Sequence, residues 1–328
     1  MAVVDTTRLS TPGALTGVAP RVQLGRVIDR TRGPFAMEKL IIEARINEYM
    51  MRDQGNPNVP YTAEEIAAEA LAVRAAGASI VHFHARTPDG LPDHSTETYA
   101  RTVAAIRRSS DILVHPTLGD VTREATAEER LAHILEMAKD SSLAPHMAPA
   151  DMGSLNLDIY NAQGRRFETR ERIYKNSTAT LTYLCENMRK AGVKPYLTCW
   201  NIGFVRLVGA FLDLGIVDEP AFLGLVLTDN SFLGGHPGTL KGLQAHLDFL
   251  PQGRRVNWTV MNYGGNLLPL AGAVIAMGGH ISIGLGDYTY PELGHPTNSD
   301  LVRRVVALAR DAGREVATPE EAKVVMGM

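Results

Sequence analysis

From Lys39 to Ala312, short runs rich in β-branched and apolar residues alternate with helix-like segments of about 11 to 20 residues. No other feature constrains the fold as strongly. A parallel pair of strands needs a helix-sized crossover, so repeated strand–helix units imply a parallel sheet with helices packed outside it. The candidate strands are Leu40 to Asn47, Ser79 to Ala85, Ile112 to Pro116, His146 to Asp151, Tyr196 to Trp200, Phe222 to Leu227, Asn257 to Met261 and His280 to Leu285. Eight units, with no G-x-G-x-x-G turn after the first strand, favour a closed α/β (β/α)8 TIM barrel over an open doubly wound sheet.

The helices carry their own start and stop signals. Thr62-Ala63-Glu64-Glu65 is a capping box opening Ile66 to Ala76, Ala76-Gly77 ends that helix, and Ala191-Gly192 stops another before the fifth strand. Residues 1–37 hold no periodic pattern and read as an N-terminal extension to a barrel domain over 38–328. Both this extension and the stretch 313–328 read as subunit contact or tail.

The 33 Lys plus Arg and 36 Asp plus Glu leave a net charge of -3 and are interspersed, which argues against a nucleic-acid surface. Two cysteines, Cys185 and Cys199, sit in apolar stretches and make no disulfide framework. No apolar run reaches the length of a membrane span, and the first 34 residues lack an apolar signal core. A cytoplasmic location is the expectation.

Working groups of such a barrel gather at the C-terminal ends of its strands. On the second strand, His82-Phe83-His84 follows the apolar Ile80-Val81 and sets two imidazoles on one face, about 6 to 7 Å apart. The pair either grips a divalent metal or is a hydrogen-bonded structural pair, and its place at the end of an apolar barrel strand favours the metal. Zinc on two histidines needs a further ligand, usually a carboxylate, and an open position for substrate. On the first strand Glu43, Arg45 and Asn47 share one face, while Ile42, Ala44 and Ile46 take the other. An acid and an arginine inside a barrel are costly unless they pair with each other or bind something. The eighth strand offers Ser282, Gly284 and Gly286 at one parity, then Asp287, leaving room for long side chains from its neighbour. Other polar strand ends are Thr117 with Gly119-Asp120, Asp151 with Asn156, Thr198 with Asn201, Thr228 through Asn230, and Asn262. Several of these are expected to be loop caps.

Four stretches resemble one family. They are Asn56-Pro57-Asn58-Val59-Pro60-Tyr61-Thr62 with Glu64-Glu65-Ile66, Gly77 through Arg86 with Asp89-Gly90, Gly278-Gly279-His280-Ile281, and Gly313 through Ala322. In this order and spacing they resemble the beta-keto acid cleavage enzyme family, whose founding activity is 3-keto-5-aminohexanoate cleavage. The resemblance runs from about Met37 to Val325. It implies a zinc-dependent barrel, assembled as a homo-oligomer (dimer or tetramer), that reacts a β-keto acid with acetyl-CoA to give acetoacetate and a new acyl-CoA. The family's zinc histidines match His82 and His84. Its third ligand is a glutamate in a G-[LF]-E-D segment of strand eight, which here reads Gly284-Leu285-Gly286-Asp287. The aspartate is kept, the glutamate is Gly286, and the family arginine four residues earlier is Ser282. Pro116, Thr198 and Gly265 likewise replace a serine, a glutamate and an arginine. The glycine pair of the strand-six loop is kept as Gly234-Gly235, in a longer segment that contains His236.

Two opposite charges have thus left the eighth strand and two, Glu43 and Arg45, stand on the first. The two strands are barrel neighbours about 4.8 Å apart, so the expectation is a relocation, with Glu43 as third zinc ligand and Arg45 as the arginine. The resulting reading is retro-Claisen acyl transfer on a metal held by His82, His84 and Glu43. Arg45 forks to the substrate carboxylate, Asp287 orients it or acts as base, and Thr117 and Asn47 add hydrogen bonds. Asp287 reads equally as a structural cap. Gly234, Gly235 and His236 are candidates for a lid or a CoA thioester contact, or a plain surface loop. The alternatives are a metal-dependent hydrolase or lyase without CoA, and a catalytically inactive metabolite-binding barrel. Two buried charges regained next to a lost pair argue against decay.

Overall fold

The computed structural model describes residues 37–48, 52, 55–118, 124–229 and 231–328. The expectations placed on residues 1–36, Gly119, Asp120 and Asn230 lie outside these. Among the described residues no helix is long and apolar enough to cross a membrane.

All eight expected strands form: β1 (Ile42–Arg45), β2 (Ile80–Phe83), β3 (Leu113–Pro116), β4 (Met147–Asp151), β5 (Lys194–Cys199), β6 (Ala221–Thr228), β7 (Val256–Tyr263) and β8 (His280–Ile283). They make one parallel sheet in the order β3-β2-β1-β8-β7-β6-β5-β4. The seam is closed where His146 N–H donates to Val114 O at 3.1 Å and Val114 N–H donates to His146 Nδ1 at 2.9 Å. β1 stops two residues before the expected Asn47, whose side chain takes over from the ladder. Its Nδ2 donates to Pro60 O (2.8 Å) and His84 O (3.1 Å), and its Oδ1 accepts from His84 N–H (2.8 Å).

The helices bury one face each against the sheet. In α1 (Ala63–Ala76) that face is Ile66, Ala70 and Val73. The capping box of Thr62 and Glu65 opens the helix, and Gly77 closes it at φ 118°. The stretch 313–328, expected as subunit contact or tail, packs on the barrel. Val316 pairs with Leu40, and Thr318 with Glu321 caps a ninth helix, α9 (Pro319–Met326), that buries Ala322 and Met326. Much of the family resemblance is therefore architecture. Arg314 donates to Glu38 O, Ile275 O and Gly279 O, tying the chain end to the base of β8. Asn56 Nδ2 ties the loop after β1 to Pro296 O at 2.9 Å.

Two features position the site. First, β1 and β8 approach so closely at their C-terminal ends that a Cβ on Gly284 would run into Arg45 O, while one on Gly286 would lie 2.9 Å from Asn47 C and O. Gly284→Ala is expected to cost about 3 kcal/mol through overpacking, read by denaturant unfolding. Wild-type stability in that variant would contradict the close approach. Second, the connection from β4 to α4 (Thr178–Lys190) carries two small antiparallel pairs, Leu155–Asn156 with Ile173–Tyr174 and Tyr160–Asn161 with Arg166–Phe167, that the sequence pattern does not announce. They bring Tyr174 over the barrel mouth.

Candidate active site

The cavity at the C-terminal end of the barrel is lined by Arg45, Glu48, His82, His84, His115 and Asp287 on one wall, and by Arg130, Asp151, Tyr174 and Trp200 on the other. Thr117, Thr198 and the apolar Leu118, Pro149, Val226 and Met261 lie between them, with Tyr263. Register explains the first wall. Arg45 stands opposite His82 across β1 and β2, and His82 opposite His115 across β2 and β3, so three inward side chains form one row.

Beneath that row Glu43, 1% exposed, joins four strands. Its Oε1 lies 2.6 Å from His115 Nδ1, and its Oε2 accepts from Tyr196 O–H (2.9 Å) and Ser282 O–H (2.6 Å). Glu43, His115 and Tyr196 come from β1, β3 and β5, the alternate-strand layering that fills barrel interiors. Burial pushes the Glu43 carboxyl up, but His115, Arg45 and Ser282 outweigh it and bring it down to about 2. The group is a carboxylate.

Above it, Arg45 Nε donates to Asp287 Oδ1 at 2.7 Å and its Nη2 reaches Glu48 Oε2 at 3.4 Å. Burial works against the Arg45 charge, but Asp287, Glu48 and Glu43 hold it protonated. Burial raises Asp287, which Arg45 only partly offsets. Burial, with Asp287 and Asp151 adding to it, pushes Glu48 up to about 7 against the pull of Arg45. Burial and Arg45 hold His82 and His84 well below the usual imidazole range, so both are neutral at pH 7.

Glu48 gives the site a pH signature. Its folded value lies above the 4.5 of the free group. Its contribution to stability is therefore complete only below 4.5 and is lost as pH rises from there through about 7. In chelator, wild type is expected to lose roughly 2 kcal/mol relative to Glu48→Gln between mildly acidic and mildly alkaline pH. Thermal unfolding of both proteins across that range checks it, and a flat difference would contradict it.

On the far wall Asp151 accepts from Trp200 Nε1–H (2.7 Å) and Tyr174 O–H (2.9 Å), and Arg130 donates to Tyr174 Oη at 2.9 Å. Burial raises the Asp151 carboxyl.

The expected site residues divide. His82, His84, Arg45, Thr117 and Asp287 line the cavity. Glu43 lies under it, and Asn47 is spent on backbone locking. Gly234, Gly235 and His236 do not line it. A Cβ on Gly235 would meet Thr228 and, at 3.2 Å, Trp200 O, and one on Gly234 would meet Leu155 and Asn156 O. The His236 ring packs edge-on against His246, centroids 4.8 Å apart. Sequence reasoning missed His115, Glu48, Arg130 and Tyr174. Only His115 left a signal, standing two residues before Thr117 and so at its parity.

A divalent metal fits this donor set. Among the described residues, donor atoms of Glu43, His82 and His115 lie within 4.8 Å of one another. Both ring nitrogens of His82, His115 Nε2 and Asp287 Oδ2 are buried without a hydrogen-bond partner among the described residues. Such groups are costly unless something binds them. Three carboxyl groups, Glu48, Asp151 and Asp287, line the cavity with two guanidiniums, Arg45 and Arg130, and the Glu43 carboxylate lies beneath them, an environment in which a bound cation would be favoured. Imidazole with carboxylate suits zinc and other divalent first-row metals.

Residues 39–328 match the protein family described as beta-keto acid cleavage enzyme. A 3-keto-5-aminohexanoate cleavage enzyme from Acetoanaerobium sticklandii is 34% identical over 295 residues, 89% of this chain and 99% of the relative. A 3,5-dioxohexanoate:acetyl-CoA acetone transferase from Paraburkholderia graminis is 27% identical over 83% of this chain and 90% of its own length. Among solved structures, a ternary complex of ObcA with C4-CoA adduct and oxalate superposes with TM-score 0.62 at 15% identity, over 83% of this chain and 68% of that one. This last likeness supports the barrel fold.

Proposed function

Since the chain belongs to the beta-keto acid cleavage enzyme family, we propose that it exchanges the acyl part of a β-keto acid with the acetyl group of acetyl-CoA, releasing acetoacetate and a new acyl-CoA. The observation that carries this reading is the juxtaposition, in one buried cavity, of the Arg45–Asp287 pair with His82 nitrogens that have no partner among the described residues. In the exchange the C2–C3 bond of the keto acid and the acetyl C–S bond break. A bond from C2 to the acetyl carbon and a C–S bond to the released acyl group form.

His82 and His84 would hold the metal, zinc or another divalent ion, with Glu43 and His115 beside them. Bound there, it would act as a Lewis acid toward the keto and carboxylate oxygens, worth several kcal/mol against developing enolate charge. Arg45, clamped by Asp287 and Glu48, presents its remaining N–H edge to the substrate carboxylate. Asp287 uses Oδ1 to hold Arg45, leaving Oδ2 to take the C2 proton and return it. Its raised carboxyl is closer to neutral pH than a free aspartate, which suits a base. Thr117 and Thr198 offer hydroxyls between the two walls, while Trp200, Tyr263 and Met261 exclude water. Gly234 lets residues 231–238 lie close on Leu155 and Asn156, and Gly235 on Thr228 and Trp200; the thioester arm of acetyl-CoA would pass there beside His236.

A panel of β-keto acids, each supplied with and without acetyl-CoA, tests the reading. Turnover is expected only with the thioester, and consumption of keto acid without it would favour the hydrolase or lyase alternative.

A further inference from the structure

We propose that His115 supplies the third metal ligand, in place of the glutamate that the family resemblance assigns to strand eight, and that Glu43 positions His115. The inference rests on the reading that the cavity holds a divalent metal.

Strand eight has no room for the missing ligand. Any side chain at Gly286 would start 2.9 Å from Asn47 C and O and 3.0 Å from Arg45 O, because the end of β1 occupies that space. Strand three does have a donor facing the cavity. His115 is directly opposite His82 in the β2–β3 register, and their rings lie 4.5 Å apart at 61°. His82 and His84 rings lie 5.3 Å apart at 80°. Two imidazoles spaced i, i+2 on one strand and a third from the adjacent strand thus share one end of the barrel.

The hydrogen bonds of Glu43 assign the roles. Its Oε1 takes His115 Nδ1 at 2.6 Å, and its Oε2 is already occupied by the hydroxyls of Tyr196 and Ser282. A carboxylate on Nδ1 fixes the proton there and leaves Nε2 as the lone-pair nitrogen, the arrangement by which an outer carboxylate orients a metal-bound histidine. That Nε2 is fully buried and has no partner among the described residues. Elsewhere in the barrel, buried imidazoles are spent on the backbone: His133 on Thr117 O, His246 on Cys199 O.

The test is metal binding on the full chain, stripped and reloaded with Zn²⁺ for affinity by chelator competition and with Co²⁺ for its visible ligand-field spectrum. Wild type is expected to bind one equivalent. His115→Ala should weaken binding by about 100-fold or more and change the Co²⁺ spectrum, whereas Glu43→Gln should weaken it about 10- to 100-fold with the spectrum's shape kept. His115→Gln, closer in volume and still able to bond Glu43, carries the same expectation as His115→Ala if the alanine variant does not fold. Wild-type affinity and spectrum in the His115 variants would overturn the assignment. So would a spectral change in Glu43→Gln as large as theirs, since Glu43 would then be the ligand itself. Wild type that binds no metal would instead sink the metal reading beneath it.

Discussion

His82→Ala is expected to bind no stoichiometric metal and to lose β-keto acid turnover by about 1,000-fold or more. The size follows from the several kcal/mol that a Lewis acid contributes to enolate charge, at one decade of rate for each 1.36 kcal/mol. His82 stands at the centre of the row, between Arg45 on β1 and His115 on β3, with both nitrogens buried and unpartnered among the described residues. Removing the ring deletes a ligand without stranding a side-chain partner among the described residues, so the fold should survive. Metal content by elemental analysis, unfolding temperature and turnover together check this. A folded variant that keeps metal and turnover would remove His82 from the site.

Asp287→Asn separates proton transfer from binding. The amide is nearly isosteric and its oxygen still accepts from Arg45 Nε, so the arginine stays in place. The group at Oδ2 loses its basicity. Turnover is expected to fall by roughly 100- to 10,000-fold, the range for removing a general base, with metal content unchanged and KM moved little. A structural cap would show the opposite split: higher KM and a kcat largely preserved. The buried charge balance adds a second check. Beside the retained hydrogen bond to position 287, Arg45 has Glu48 at 3.4 Å as its one contacting carboxylate in this variant, so the variant should also lose some stability, though less than the 3 to 5 kcal/mol typical of stranding a buried charge.

The barrel was readable from the sequence because its signals are local. Eight apolar runs, capping residues such as Thr62 with Glu65 and stops such as Gly77 each act within a turn or two, and the structure repeats them. The helix Pro319–Met326 has its capping box, Thr318 with Glu321, in the sequence, but eight strand–helix units are complete by Ala312 and the barrel pattern calls for no further helix. The hairpin insert between β4 and α4 has strands of two residues, too short for any periodicity.

The site was legible only where one strand carried the whole message. His82 and His84 share a strand and a parity, and Glu43 and Arg45 do too, so their common inward face followed from alternation alone. What Glu43 touches did not follow. Its partners His115, Tyr196 and Ser282 lie 72, 153 and 239 positions away along the chain, and only the barrel's register brings them together. Glu48 escaped for a different reason. The ladder ends at Arg45, so beyond it strand parity no longer tells which way a side chain points. Asn47 had the expected face but a different task, because a side chain able to donate and accept at a strand end finds backbone partners first.

The most direct test of the central claim is to follow the carbon. The metal-loaded protein would be incubated with acetyl-CoA labelled with ¹³C in the acetyl group and a panel of unlabelled β-keto acids, and the products read by mass spectrometry. The account predicts labelled acetoacetate and an unlabelled acyl-CoA in equal amounts, lost together when the metal is stripped and restored when it is returned. Unlabelled products formed without consumption of acetyl-CoA, or metal-loaded protein inert toward every keto acid in the panel, would contradict it.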